Sequence, residues 1–153
     1  MKTYRTFSSK ETEEIGEEIA KALIVSESKT RNHKGAIIFA LHGDLGSGKT
    51  TFTKGFFRGL GIKSRVKSPT FVIMRRSAIH GKNFKNIFHI DAYRLRVLKD
   101  FSALDLKTIV ADEKNIILIE WPENAEGLIP RTAHKLEFQY GKKENERIIK
   151  HKA

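Results

Sequence analysis

The chain has 153 residues and 39% hydrophobic content, which suits one domain around one buried core. It has no cysteine, which excludes disulfides, thiolate nucleophiles and Cys-based metal sites. The formal net charge is +11; ten Lys or Arg and no Asp or Glu lie between Leu45 and Ile90, against nineteen basic and eighteen acidic residues elsewhere.

That window favours a polyanion, whether nucleotide phosphates, nucleic acid or an acidic partner surface, or else forms a solvated basic face. No apolar run approaches the roughly 20 residues that span a bilayer. The opening "MKTYRTFSSKETEE" lacks a signal-peptide core, so a cytosolic protein without membrane contact is expected.

In chain order, 8–29 reads as a helix. Ser8 is its N-cap, Glu11 completes a capping box, and Ile15, Ile19 and Leu23 form one apolar stripe. "AIIFAL" (36–41) is a strand buried on both faces. A loop over 43–48 leads into a helix that runs to about Leu60, with Phe52, Phe56 and Leu60 on one side and Gly61 as its stop. "TFVIMR" (70–75) and "NIFHID" (86–91) read as strands joined by the hairpin loop "SAIHGKN". A helix is expected within 98–112. "NIILIE" (115–120) is a buried strand, "WPENAEGLIP" a loop, "HKLEFQY" (134–140) a half-exposed strand and "RIIK" a last short one. The fold class expected is α/β: a three-layer P-loop NTPase fold with a mixed central sheet, in a single domain over 1–153.

Gly43-x-x-x-x-Gly48-Lys49-Thr50 matches the P-loop pattern in full, after a buried strand and before an amphipathic helix. Glycines permit backbone angles that turn successive N–H groups of Asp44, Leu45, Gly46, Ser47 and Gly48 toward phosphate oxygens. The helix N-terminus, from Lys49 to Thr51, adds its positive end. Lys49 suits the β- and γ-phosphates and the Thr50 hydroxyl suits Mg²⁺. Two strands end in acids, Asp91 and Glu120, where an open α/β sheet places its ligand crevice. Either carboxylate, or both, would serve Mg²⁺ or the attacking water. Four apolar residues directly before Glu120 make it the stronger metal candidate, but which acid ligates stays open. His42 and His89 lack metal-ligand spacing and read as packing residues or phosphate neighbours.

No Asn-Lys-x-Asp guanine reader is present, which favours ATP/ADP over guanine nucleotides. A small-molecule or nucleoside kinase is one alternative, with Arg94 and Arg96 as lid arginines. A nucleotide-gated RNA-binding module using the basic window is another.

"GDLGSGKTTFTKGFFRGLG", "KSPTF", "HIDAYRL" and "IEWPE", in this order and spacing, closely resemble the bacterial TsaE family over about residues 8–140. The resemblance implies a small, weak, partner-activated ATPase that is not itself the transferase. It would support threonylcarbamoylation of the tRNA adenosine beside the anticodon by binding the TsaB–TsaD complex, with ATP and Mg²⁺ as cofactors. It maps a switch onto Ser68, Pro69, Thr70 and Phe71, the D-x-Y-R motif onto Asp91, Tyr93 and Arg94, and the E-W pair onto Glu120 and Trp121. It sets Ser8 and Thr12 near adenine, where helix capping is an equal reading. Arg75 and Arg76 depart from the acidic residue that family members often carry after the switch. They suit tRNA contact or altered partner docking.

Overall fold

The computed structural model describes residues 1–29, 34–63, 73–95 and 105–153, without the side chains of 28, 29, 94, 95, 126 and 128. In order the elements are β1 (Lys2–Thr6), α1 (Ser9–Lys29), β2 (Ile37–His42), α2 (Lys49–Gly59), β3 (Met74–Ala78) and β4 (Asn86–Asp91). There follow α3 (Ala92–Leu95), α4 (Leu106–Ala111), β5 (Asn115–Glu120), a 3₁₀ segment (Pro122–Leu128), β6 (His134–Tyr140) and β7 (Arg147–Lys152).

Among the described residues the strands form one mixed seven-stranded sheet, β1-β7-β6-β2-β5-β4-β3. The central β6, β2, β5 and β4 run parallel, and β1, β7 and β3 join antiparallel. The buried runs of β2 and β5 explain their central places, because a strand covered on both faces needs apolar side chains on both. Its two faces carry separate apolar clusters. Phe39, Leu41, Ile116 and Leu118 pack with Phe52 and Phe56 of α2 and Ile19 and Leu23 of α1. Ile38, Ala40, Ile117 and Ile119 pack with Leu106 of α4 and Ala125 of the 3₁₀ segment.

Helix α1 begins as the sequence predicts. Glu11 N–H donates to Ser8 Oγ at 3.1 Å, and the Glu11 carboxylate reaches back to the N–H of Phe7, the residue before the cap, at 2.9 Å, a capping box whose return bond is shifted by one residue. Glycine lets α1 and α2 meet closely. A Cβ on Gly16 would sit 2.2 Å from the Phe52 carbonyl oxygen, and one on Gly55 would sit 1.8 Å from that of Glu13. This contact fixes where α2, and hence its N-terminus, lies against the sheet.

Four details differ from the sequence reading. β1 was not foreseen: "KTYRT" is short, largely exposed, and becomes a strand by pairing with β7. β3 runs to Ala78, into the stretch read as a hairpin loop, because Arg76 to Ala78 pair with Phe88 to Asn86. In "WPENAEGLIP" the chain winds into a 3₁₀ segment, and Ala92–Leu95 forms a short helix. The helix expected within 98–112 is present as Leu106–Ala111, while 98–104 lie outside the described residues.

Candidate functional site

The glycine-rich loop leaves β2 at His42 and enters α2 at Lys49. Gly46 has φ 75° and Gly48 has φ 108°, conformations costly for any residue with a Cβ. Gly48 is the N-cap of α2 and supplies no side-chain hydrogen bond to the helix. The first-turn amides therefore lack the usual Ser, Thr or Asp cap, which is how an anion-binding helix start differs from an ordinary one. Lys49, Thr50 and Thr51, from that first turn, line a cavity of about 470 Å³.

The opposite wall comes from two neighbouring strands. β4 and β5 pair in parallel with Asp91 directly across from Glu120, so both carboxylates leave the sheet at one level. In-register residues of parallel strands share a face, and here that face is the one α2 covers. Asp91, Glu120, Tyr93 and Trp121 line the same cavity as the loop residues Leu45, Gly46 and Gly48. Asp91 Oδ1 accepts the Tyr93 N–H at 3.0 Å, which turns the chain into α3. Trp121 has φ 56°, a left-handed conformation unusual for a bulky residue and disfavoured before Pro122. Strain of this kind costs about 1–3 kcal/mol and concentrates at functional sites. It ends β5 within one residue. The indole lies 4.7 Å from Lys49 Nζ and 5.5 Å from the Tyr93 ring.

Lys49 is buried, and its ammonium donates to the carbonyls of Gly43 and Asp44. Burial pushes its pKa down, while Glu120, Asp44, Glu123 and Asp91 pull it back up. The ammonium is thus held by two backbone carbonyls, in a cavity where phosphate oxygens are a stronger alternative acceptor.

Three features went unseen in the sequence. His89 Nε2 lies 2.9 Å from Glu120 Oε1, both buried. The signal was available: in a strand, His89 shares a face with Asp91, two residues on. Tyr140 OH donates to the Leu45 carbonyl, and Arg147 Nη2 approaches the Gly46 carbonyl at 3.4 Å while its guanidinium lies 4.6 Å from the Tyr140 ring centre. These side chains hold two loop carbonyls, the arrangement that leaves amides to face a ligand. Alternation along β6 sets Tyr140 on the face of Leu136 and Phe138, but only the fold carries that face to the loop.

Other expected residues stand as follows. Asp44 is exposed and Ser47 is buried with its Oγ unpartnered among the described residues. Ser8 and Thr12 do not line the cavity. Ser8 caps α1, and Thr12 bonds Thr6 Oγ1 at 2.8 Å, with its methyl group against Gly48. Ser68, Pro69, Thr70 and Phe71 lie outside the described residues, as do the Arg94 side chain and Arg96. Arg75 and Arg76 are exposed on β3; their partners across the pair, His89 and Phe88, belong to opposite faces of the sheet, so the two arginines do not share one.

The donor set fits a nucleotide with a divalent ion. An uncapped helix start and Lys49 meet phosphates, and Thr50 with two carboxylates offers oxygen ligands suited to Mg²⁺. Among the described residues no group of three His, Asp or Glu is arranged to hold a metal. An ion here would share its coordination with phosphate oxygens, as Mg²⁺ sites commonly do.

Comparison with known proteins gives the family. The family model described as "Threonylcarbamoyl adenosine biosynthesis protein TsaE" matches residues 6–149. The tRNA threonylcarbamoyladenosine biosynthesis protein TsaE of Haemophilus influenzae is 36% identical over 105 residues, covering 69% of this chain and 64% of that protein. Its counterpart in Borreliella burgdorferi is 44% identical over 94 residues, covering 61% and 66%. The alignments thus span slightly less than two thirds of those relatives' own length. The crystal structure of Bacillus subtilis YdiB superposes with a TM-score of 0.70 at 29% identity, covering 97% of this chain and 82% of that one. The chain belongs to the TsaE family of threonylcarbamoyl adenosine biosynthesis proteins.

Proposed function

We propose that this chain is a P-loop ATPase, a single domain with the three-layer P-loop NTPase fold, that supports threonylcarbamoylation of tRNA. It binds the TsaB–TsaD complex and couples ATP hydrolysis to that complex's turnover on the adenosine beside the anticodon. The observation that carries the reading is convergence: the uncapped start of α2, Lys49, Thr50 and the register-paired Asp91 and Glu120 border one cavity. The loop amides and Lys49 hold the phosphates, and Thr50 with Glu120 or Asp91 holds Mg²⁺. Bound there, Mg²⁺ would offset charge on the β- and γ-phosphates. The second carboxylate orients water.

Leu45 and Tyr93 are large, exposed and at the cavity mouth, which suits a surface that a partner protein covers. A cytoplasmic setting accompanies a tRNA substrate; no helix among the described residues is long and apolar enough to cross a membrane. Direct tRNA contact through the basic window belongs to the same proposal.

The test is phosphate release from Mg²⁺-ATP, with and without the TsaB–TsaD complex. Slow release that rises with the complex is expected. Transfer to an acceptor in place of release would make the chain a kinase, and salt-dependent RNA binding without release would make it an RNA-binding module.

The loop brace gives a smaller prediction. Tyr140→Phe removes one hydrogen bond that braces the Leu45 carbonyl within the fold, worth about 1 kcal/mol, so the melting temperature should fall by about 2–4 °C and ATP, which must then order a looser loop, should bind more weakly by at most roughly 5-fold. The single tryptophan, Trp121, lines the cavity, so its fluorescence reports the titration.

A further inference from the structure

We propose that His89 is a positioning residue that locks the Glu120 carboxylate for its task at the nucleotide's metal and water. The inference rests on the ATP-hydrolysis reading above. Glu120 ionised can only accept hydrogen bonds, so at the 2.9 Å contact the proton sits on His89 Nε2, which donates to Glu120 Oε1. One carboxylate oxygen is thereby fixed, and Oε2 is left for the cavity that Glu120 lines.

The imidazole is itself held. It is 1% exposed, and the Phe57 ring packs against it edge-on, with centroids 6.3 Å apart at 60°. Its position follows from register: His89 faces Leu118 on β5, two residues before the pair Asp91 and Glu120, on the same face of the sheet. Along that face of β4 the residues are Ile87, His89 and Asp91. Ile87 packs into the apolar cluster under α2, and a second aliphatic residue at 89 would extend it. A buried imidazole in that place carries a desolvation cost that its bond to Glu120 offsets. What the imidazole adds, and an aliphatic residue would not, is a fixed direction for a cavity carboxylate. Partners of this kind set the orientation of a ligating carboxylate, and their loss typically lowers metal affinity or activity about 10–100-fold.

The experiment compares two amides in the full chain. The side-chain N–H₂ of glutamine superposes on the place of Nε2, whereas that of asparagine stops near Nδ1. Trp121 fluorescence gives ATP affinity without divalent ion and the Mg²⁺ concentration that tightens it; phosphate release with the TsaB–TsaD complex gives kcat and KM. His89→Asn is expected to bind metal-free ATP within about twofold of the unmodified chain, to need roughly tenfold more Mg²⁺, and to lose about 10–100-fold in kcat at similar KM. His89→Gln should recover most of both losses. A purely structural role would lower thermal stability in both variants without separating Mg²⁺ dependence from metal-free binding. If the two amides behave alike, or Asn leaves Mg²⁺ dependence and kcat unmoved, the role of His89 is overturned and the ATPase reading stands. If the unmodified chain shows no Mg²⁺-dependent response to ATP, that reading fails and takes this inference with it.

Discussion

Lys49→Ala is expected to weaken ATP binding roughly 30-fold and to bring phosphate release to background, with the fold intact. Lys49 is the one cation lining the cavity among the described residues. A charge-assisted hydrogen bond contributes about 2 kcal/mol, which gives the 30-fold figure. The loss in turnover exceeds the loss in binding, because negative charge develops on the departing β-phosphate oxygen toward the transition state, where Lys49 would stabilise it; a missing donor at such a place typically costs about 100–1,000-fold. The fold tolerates the change. Burial already disfavours the charged lysine, so truncation removes a desolvation cost along with its bonds to the carbonyls of Gly43 and Asp44. Fluorescence titration, phosphate release and a melting curve on one preparation check all three parts. Normal turnover by Lys49→Ala would remove the glycine-rich loop from the mechanism.

Glu120→Gln is expected to separate binding from hydrolysis. The amide keeps the volume of the carboxylate, and its carbonyl oxygen still accepts the His89 Nε2–H, so the side chain should stay where it is. What goes is the negative charge beside the phosphate cradle. ATP affinity should fall by no more than about 5-fold, since the loop amides and Lys49 remain, whereas phosphate release should drop about 100–1,000-fold. Such a variant would hold ATP and stall on its partner. The parallel variant Asp91→Asn bears on which acid ligates the ion. Asp91 already accepts the Tyr93 N–H, and the Oδ1 of asparagine can accept it equally, so the turn into α3 should hold and the melting temperature should change little. A Glu120→Gln chain with unreduced hydrolysis would leave the acid roles at metal and water to Asp91.

Features governed by neighbours along the chain were legible in the sequence. The capping box at Ser8 and Glu11, the stripe of Ile19 and Leu23, and the buried runs of β2 and β5 all follow from residues a few positions apart. The glycine pattern belongs to the same class. Gly46 and Gly48 take the backbone angles that made them glycines, and Lys49 and Thr50 sit at the helix start as the spacing requires. Asp91 and Glu120 could be named as acids at strand ends, because apolar runs that stop at a carboxylate mark the place where a strand leaves the core.

What the sequence by itself determined was therefore a loop, its helix and a short set of candidate acids. Tertiary structure alone decided how they meet. Pairing of β4 with β5 sets Asp91 against Glu120 and brings His89, 31 residues away in sequence, into hydrogen-bonding distance of Glu120. The return of β6 and β7 beside β2 delivers Tyr140 and Arg147 to the outside of the loop. β1 is a strand because β7 offers it an edge, and Ser8 and Thr12 engage partners in their own helix and in β1. The physical reason is common to all of these. Propensity, capping and periodicity act over a few residues, whereas strand register is set by burial across the whole sheet, and a shift of one residue would turn His89 and Asp91 to the opposite face.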